Sequence, residues 1–329
     1  MVEVATLNQA RSHSSQASHE YQFSFVLMTS LAFNRRHEHI TCTGHPPAAH
    51  VRLSRFTPSL PQVSARLGYL EPMNERPYNY MYPPPEGVAW QNCVYDQHLV
   101  DIVDARRFPA PTSVHREGFE LWDAPSQVKN FLDEDEITRT YYAEAAELAK
   151  LVTGATQAFV FDHLVRKREA NRPPLTFGRE DSNPAAVGRI HNDYTEESGQ
   201  RRLTQVLGGE VAAAVGRYSI VNIWRSIKGP ILDTPLAVCD ARSLSISDLV
   251  SSEIRYPTRN GEIYLATYAG RHRWAYYSEM DRHEALVFKQ YDSQVSGVAR
   301  FTPHAAFDHP ECPPDAPLRK HRVALPCRL

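Results

Sequence analysis

The chain has 329 residues, 42% of them apolar, and 36 basic against 38 acidic side chains give a net charge of −2. That length and apolar content suit one large domain or two with a sizeable core, and the near-neutral charge excludes a general nucleic-acid-binding surface. Five cysteines, Cys42, Cys93, Cys239, Cys312 and Cys327, are odd in number, scattered and never spaced as Cys-x-x-Cys. This excludes a disulfide framework or a zinc knuckle and points to a reducing, cytoplasmic setting.

Residues 1–61 are rich in Ser, His and Pro, poor in acids and without a sustained period. They read as a flexible N-terminal extension, or as an upstream start with Met28 as the alternative, ahead of a folded domain spanning 62–329. The apolar run Phe23 to Phe33 is too short and too interrupted to span a bilayer, and its flanks are wrong for a signal peptide, so no membrane partner is expected. Basic clusters such as Arg166–Arg168 and Arg271–Arg273 have acids interleaved nearby and read as solvated faces or local ion pairs.

The folded part opens near Val63–Leu70. Between Pro77 and Pro85, prolines lacking an amide donor and fixing their own backbone predict an aromatic arm over the core, outside regular sheet or helix. One long helix is expected, over Asp133–Lys150, with acids in its first turn, Ile137, Tyr141, Ala145 and Leu148 at three- and four-residue steps, and Gly154 just past its end. Ala158–Phe161 follows as a buried strand. The adjacent Asp162 and His163 point to opposite faces, which favours a structural role over a shared metal.

The C-terminal half reads as short β-type runs: Tyr218–Trp224, Leu236–Cys239, Glu262–Tyr268, Trp274–Tyr277 and Ala285–Tyr291, separated by Gly, Pro, Asp and Asn. Many strands with one helix before them suggest a mainly β (α+β) domain, a jelly-roll barrel braced by helix. Trp274, Tyr276 and Tyr277 are expected in ordinary core, with an apolar substrate wall as the alternative.

In Gly188-Arg-Ile-His-Asn-Asp-Tyr-Thr195, His191 and Asp193 lie two apart, so on an extended strand an imidazole and a carboxylate point the same way. A second imidazole from a distant strand would complete the two-His-one-carboxylate face that holds Fe(II) and leaves positions open for substrate and oxygen. His304, in Val298-Ala-Arg-Phe-Thr-Pro-His-Ala-Ala-Phe307, is the best candidate, ahead of His272 between two arginines and His309 in a Pro-rich loop. His191 and His304 are 113 positions apart, ample for several intervening strands. Arg225, after Trp224, is a candidate to line the pocket and bind a cofactor; an ion pair to Asp233 or Asp240 is the alternative.

From about Val63 onward the chain resembles the CmcJ/NvfI, or AsaB-like hydroxylase/desaturase, family of oxidoreductases. The resemblance rests on Tyr78-Asn-Tyr-Met-Tyr-Pro, Val160-Phe-Asp-His163, Arg189-Ile-His-Asn-Asp193, Asn222-Ile-Trp-Arg225 with Gly229-Pro230, Cys239-Asp-Ala-Arg-Ser243, His272-Arg-Trp274 with Tyr276-Tyr277, and Tyr291-Asp-Ser293 with Arg300–Phe307. It implies a double-stranded β-helix (cupin-like) core and Fe(II)- and 2-oxoglutarate-dependent oxidation with O2 of a small-molecule substrate. By position it puts the metal ligands at His191, Asp193 and His304. Such dioxygenases hold the co-substrate's distal carboxylate with an arginine one strand after the distal histidine, which implies Arg319, with Arg322 as the fallback; the planar guanidinium suits a carboxylate. Two features depart from the family pattern: Asn192, where an apolar residue is expected, and the short tail after Arg319.

Three functions compete at this stage. The first is a dioxygenase that hydroxylates or desaturates a small natural product in secondary metabolism. The second is a methyltransferase or its partner protein, which lacks a Gly-rich nucleotide loop here. The third is a non-catalytic jelly-roll binding protein.

Overall fold

The computed structural model describes residues 20–31, 60–168 and 188–312. In chain order its strands are β1 (Glu20–Leu31), β2 (Gln62–Leu70), β3 (Tyr78–Tyr80), β4 (Tyr95–Asp104), β5 (Phe119–Asp123), β6 (Gln157–Arg168) and β7 (His191–Asn192). They continue with β8 (Arg217–Ser226), β9 (Leu236–Cys239), β10 (Leu249–Arg255), β11 (Asn260–Ala266), β12 (Trp274–Tyr276), β13 (Glu284–Asp292) and β14 (His304–Ala306). Two helical segments, α1 (Glu134–Glu136) and α2 (Tyr142–Thr153), are joined by a π turn over Ile137–Tyr141, and α3 (Glu196–Leu207) and α4 (Gly209–Ala213) follow β7. This is a jelly roll: mainly β, two sheets face to face, braced by helix.

The five-stranded sheet has the order β5-β13-β8-β1-β6 and is antiparallel throughout. Its outer face carries the predicted helix. The Asp133 side chain accepts from the amides of Asp135 and Glu136, acids fill the first turn, and Gly154 ends the helix at φ 71°. Ile137, Tyr141, Ala145, Ala149 and Val152 then bury against Val221, Ile223, Ala285 and Val287 of the sheet. Alternation turns Asn222 and Trp224 of β8 to the inner face.

Residues 20–31 do not behave as the flexible extension expected of 1–61. They form β1, paired on one side with β6 and on the other with β8. The run Phe23–Met28 is β-compatible, but its partners are supplied by strands far along the chain, which a local composition window does not sense. The rest of that segment up to residue 59 lies outside the described residues.

The nine-stranded sheet has the order β2-β4-β12-β9-β14-β7-β11-β10-β3. It curls until β2 meets the lead-in to β7: the Gly68 amide donates to Gly188 O at 3.1 Å and the Ile190 amide to Gly68 O at 2.9 Å. Val63, Leu67, Tyr69, Ile102, Trp274, Tyr276 and Phe307 fill the space inside the curl. Between the two sheets lie Phe119, Trp224, Leu286 and Phe288 against Leu236, Val238, Ala275 and Tyr277. All three aromatics expected in core, Trp274, Tyr276 and Tyr277, are buried there.

Two further expectations change. Tyr78–Tyr80, inside the proline-bounded arm, joins the sheet as strand β3 parallel to β10, at the edge where neighbouring prolines are tolerated. A second twelve-residue helix, α3, exists where only one long helix was expected. Its apolar residues are sparse, but Thr195 caps it with Ser198 in a reciprocal capping box, a local signal that does not depend on periodicity.

Candidate metal centre

β7 brings His191 into the nine-stranded sheet, where it stands directly opposite His304 of β14. Directly opposed residues on neighbouring strands have Cβ atoms about 5 Å apart, so pairing places two imidazoles side by side from positions 113 apart in sequence. Their ring centroids are 4.4 Å apart. β7 ends at Asn192, so Asp193 sits at the bend just past the strand, still on the side of His191. Two residues on, Thr195 caps α3 and fixes the direction in which the chain leaves.

His191 and His304 are buried and Asp193 is partly exposed, with donor atoms from all three within 4.8 Å of one another. His191 Nε2 lies 3.6 Å from Asp193 Oδ1 and His304 Nε2 lies 3.9 Å from Asp193 Oδ2. His191 Nδ1 is 3.0 Å from Arg189 O and His304 Nδ1 is 3.3 Å from Thr302 O. A carbonyl only accepts, so each Nδ1 carries the proton and donates it. Burial, with the neighbouring His304 as the next cause, pushes His191 down to about 3, so its ring is neutral. Its Nε2 therefore presents a lone pair.

Lone pairs and a carboxylate facing one another across this space repel unless a cation lies among them. That is the physical test of whether these residues fit a metal, and they pass it. Two imidazoles and one carboxylate, with the imidazoles oriented by carbonyls, are the donor set of a non-haem Fe(II) centre with positions left open. Asn222 of β8 donates from Nδ2 to Asp193 Oδ2 at 2.7 Å. Its own Oδ1 is buried without a hydrogen-bond partner, an acceptor suited to a proton-bearing ligand in the site. Phe288 packs against His304 with centroids 4.8 Å apart and keeps that side apolar.

The other sequence candidates are not at this point. Arg225 lies on the opposite face of β8 from Asn222, its guanidinium 4.8 Å from the Tyr141 ring and donating to Ala124 O at 2.9 Å. It pins helix to sheet and does not line the pocket, because three residues on a strand reverse the facing. Asp240, one of its proposed partners, pairs with Arg242 and Arg273 instead. His272 bridges Tyr69 and Asp248, and His309 meets the Tyr276 hydroxyl. His163 joins Tyr142 and Glu134 on the helix side, as its structural reading expected. Arg319 and Arg322 lie outside the described residues.

Sequence reasoning missed Asn222 and also Gln290, whose side-chain Oε1 accepts from the Asp193 amide at 2.8 Å. Asn222 is a polar residue that interrupts the apolar run Ile220–Trp224 of β8, and that interruption was the available signal. Gln290 had none, because it matters through a bulge that only strand pairing creates.

Fold and donor set together define a jelly-roll oxygenase. The family model described as "Oxidoreductase/YMDC permease-like domain" matches residues 67–321, and the chain belongs to this family. It is 33% identical over 236 residues to the hydroxylase/desaturase efuI of Hormonema carpetanum, covering 65% of this chain and 78% of that one. It is 30% identical over 250 residues to the Fe(II)/2-oxoglutarate-dependent dioxygenase nvfI of Aspergillus novofumigatus, covering 73% and 86%. The solved structure of the iron and alpha-ketoglutarate-dependent endoperoxidase NvfI superposes with a TM-score of 0.64 at 25% identity, over 79% of this chain and 94% of that one. The chain is thus an oxidoreductase of the Fe(II)- and 2-oxoglutarate-dependent dioxygenase class. The methyltransferase and binding-protein readings find no support. Among the described residues no helix is long and apolar enough to cross a membrane.

Proposed function

We propose that this protein uses His191, Asp193 and His304 to hold Fe(II), and uses 2-oxoglutarate and O2 to hydroxylate or desaturate a small, largely apolar natural product. The observation that carries the reading is the convergence of two oriented Nε2 lone pairs and one carboxylate. Iron, when bound, supplies the coupling of co-substrate decarboxylation to oxidation of a substrate C–H bond. The chain supplies the rest. Arg189 O and Thr302 O hold the imidazoles in one tautomer, and Asn222 engages Asp193 Oδ2, so that Oδ1 is the oxygen that would be left to hold the metal.

Arg319 is our choice to anchor the distal carboxylate of 2-oxoglutarate, supported by the family resemblance and by the fit of a planar guanidinium to a carboxylate. We assign residues 62–329 to one oxygenase domain, joined by β1. A cytoplasmic setting fits the free cysteines Cys93, Cys239 and Cys312, and near-neutral charge argues against nucleic acid or an anionic membrane surface as partner.

The test needs no substrate. Protein loaded with Fe(II) without oxygen should gain a visible charge-transfer absorption on adding 2-oxoglutarate, and form succinate once oxygen enters. His191→Ala should lose both, and Arg319→Leu should weaken 2-oxoglutarate binding while keeping the metal. Succinate formation that persists after iron is chelated away would overturn the reading.

A further inference from the structure

The residue between His191 and Asp193 is itself the most committed side chain of the site. Asn192 is fully buried, and its amide nitrogen uses both hydrogens: one bond to Tyr194 O at 2.7 Å and one to Gln290 O at 2.9 Å. Its Oδ1 accepts from the Thr302 amide at 3.1 Å. Tyr194 follows Asp193, and Thr302 O is the acceptor that orients His304. One side chain, on the residue that follows His191, therefore bonds to the backbone next to Asp193 and to the backbone two residues before His304.

Gln290 explains why a polar residue is required here. The register of β13 against β8 shifts between Lys289 and Tyr291, so Gln290 is a bulged residue left out of its own ladder. Its carbonyl takes the Asn192 amide from the opposite sheet, and its side-chain Oε1 accepts from the Asp193 amide at 2.8 Å. The bulge is thus where the five-stranded sheet bonds to the ligand strand of the other. An apolar side chain at 192 would remove the three bonds that Asn192 makes to the Gln290 and Tyr194 carbonyls and the Thr302 amide.

We propose that Asn192, working through the bulged Gln290, is a positioning residue that clasps the two sheets and sets the spacing of His191, Asp193 and His304, so that metal affinity depends on it beyond its share in folding. The inference rests on the metal-site reading above and adds to it the device that holds the donors in place.

Titration with Co(II), a spectroscopic stand-in for Fe(II), tests it through the dissociation constant and the d–d absorption. Both readouts are independent of turnover. Loss of stability alone decides nothing, since removing buried hydrogen bonds destabilises whatever their role. Ile137→Ala, in the helix–sheet layer remote from the site, is the control for general destabilisation and should bind Co(II) as wild type does. Asn192→Leu, close in shape but without hydrogen bonds, should weaken Co(II) binding roughly 10–100-fold and alter the d–d bands. If it does not fold, Gln290→Met, which removes the acceptor for the Asp193 amide together with a 3.3 Å bond from Nε2 to Lys289 O and keeps the backbone carbonyl that Asn192 uses, is read by the same rule. Weakening below about threefold in the folded variant, or equal weakening in Ile137→Ala, overturns the clasp while leaving the metal site intact. Wild type that fails to bind Co(II) overturns the underlying reading, and the clasp with it.

Discussion

Strands β8 and β13 run for 10 and 9 residues, whereas β7 and β14, which carry the histidines, have 2 and 3. The long pair is positioned by its own ladder, nearly every residue paired and buried, with a helix packed behind it. The short pair has too few backbone bonds to set a geometry alone. Its candidate ligands are placed by bonds from outside the ladder: the Asn222 side chain to Asp193, the β7 side chain of Asn192 to Thr302 and Gln290, and backbone carbonyls to each imidazole. The comparison teaches that the packed layer and the candidate metal site lie in different parts of one molecule, and substitutions should separate stability from metal binding.

The largest effect should come from the short strands. Asp193→Ala or His304→Ala should reduce Fe(II)-dependent succinate formation to background while the far-UV circular dichroism stays as in wild type. Substantial activity in either variant would break the comparison at its centre. Next comes Asn222→Leu, which removes the bond to Asp193 Oδ2 and should lower metal affinity roughly 10–100-fold, read by Co(II) titration.

On the long-strand side the sign reverses. Ile137→Ala leaves a cavity against Val221, Ile223 and Val287 and should lower unfolding free energy by about 2–5 kcal/mol in chemical denaturation, with unchanged Co(II) affinity. A parallel loss of metal binding would show that the two regions are not separable.

The smallest effect is a pH dependence at the end of β13. Burial alone would raise the Asp292 carboxyl, but Arg217, at 3.1 and 2.9 Å, and Lys289, at 2.6 Å, hold it below the ordinary carboxylate range. A carboxyl whose folded value lies below its unfolded value of about 4 contributes stability that is present above that pH and lost as pH falls through the folded value. Unfolding free energy should therefore decline with falling pH below about 4, less steeply in Asp292→Asn. Identical slopes for the two proteins would remove Asp292 from the account.

Much of the site was legible because its signals are local. His191 and Asp193 declare themselves by a spacing of two, and His304 by the aromatic and small residues around it. Helix 134–153 was legible from its period and caps. What was not legible required a partner: β1 needs β6 and β8, Asn222 needs Asp193 beyond a helix pair, and Gln290 needs a register shift. The error over Arg225 has the same origin, since its neighbour Trp224 faces the inner core and only the strand's placement between helix and barrel shows which side each residue takes.

The sequence by itself determined the donor types, the period of the strands and the caps at Asp133 and Thr195, because these depend on residues within a few positions of one another. Only the tertiary structure decided that His304 stands opposite His191, that Asn222 holds Asp193, and that the bulge at Gln290 meets Asn192. The first is a pairing of neighbouring strands within one sheet and the other two cross from sheet to sheet, all fixed by register and burial, and no local window of the chain contains both partners.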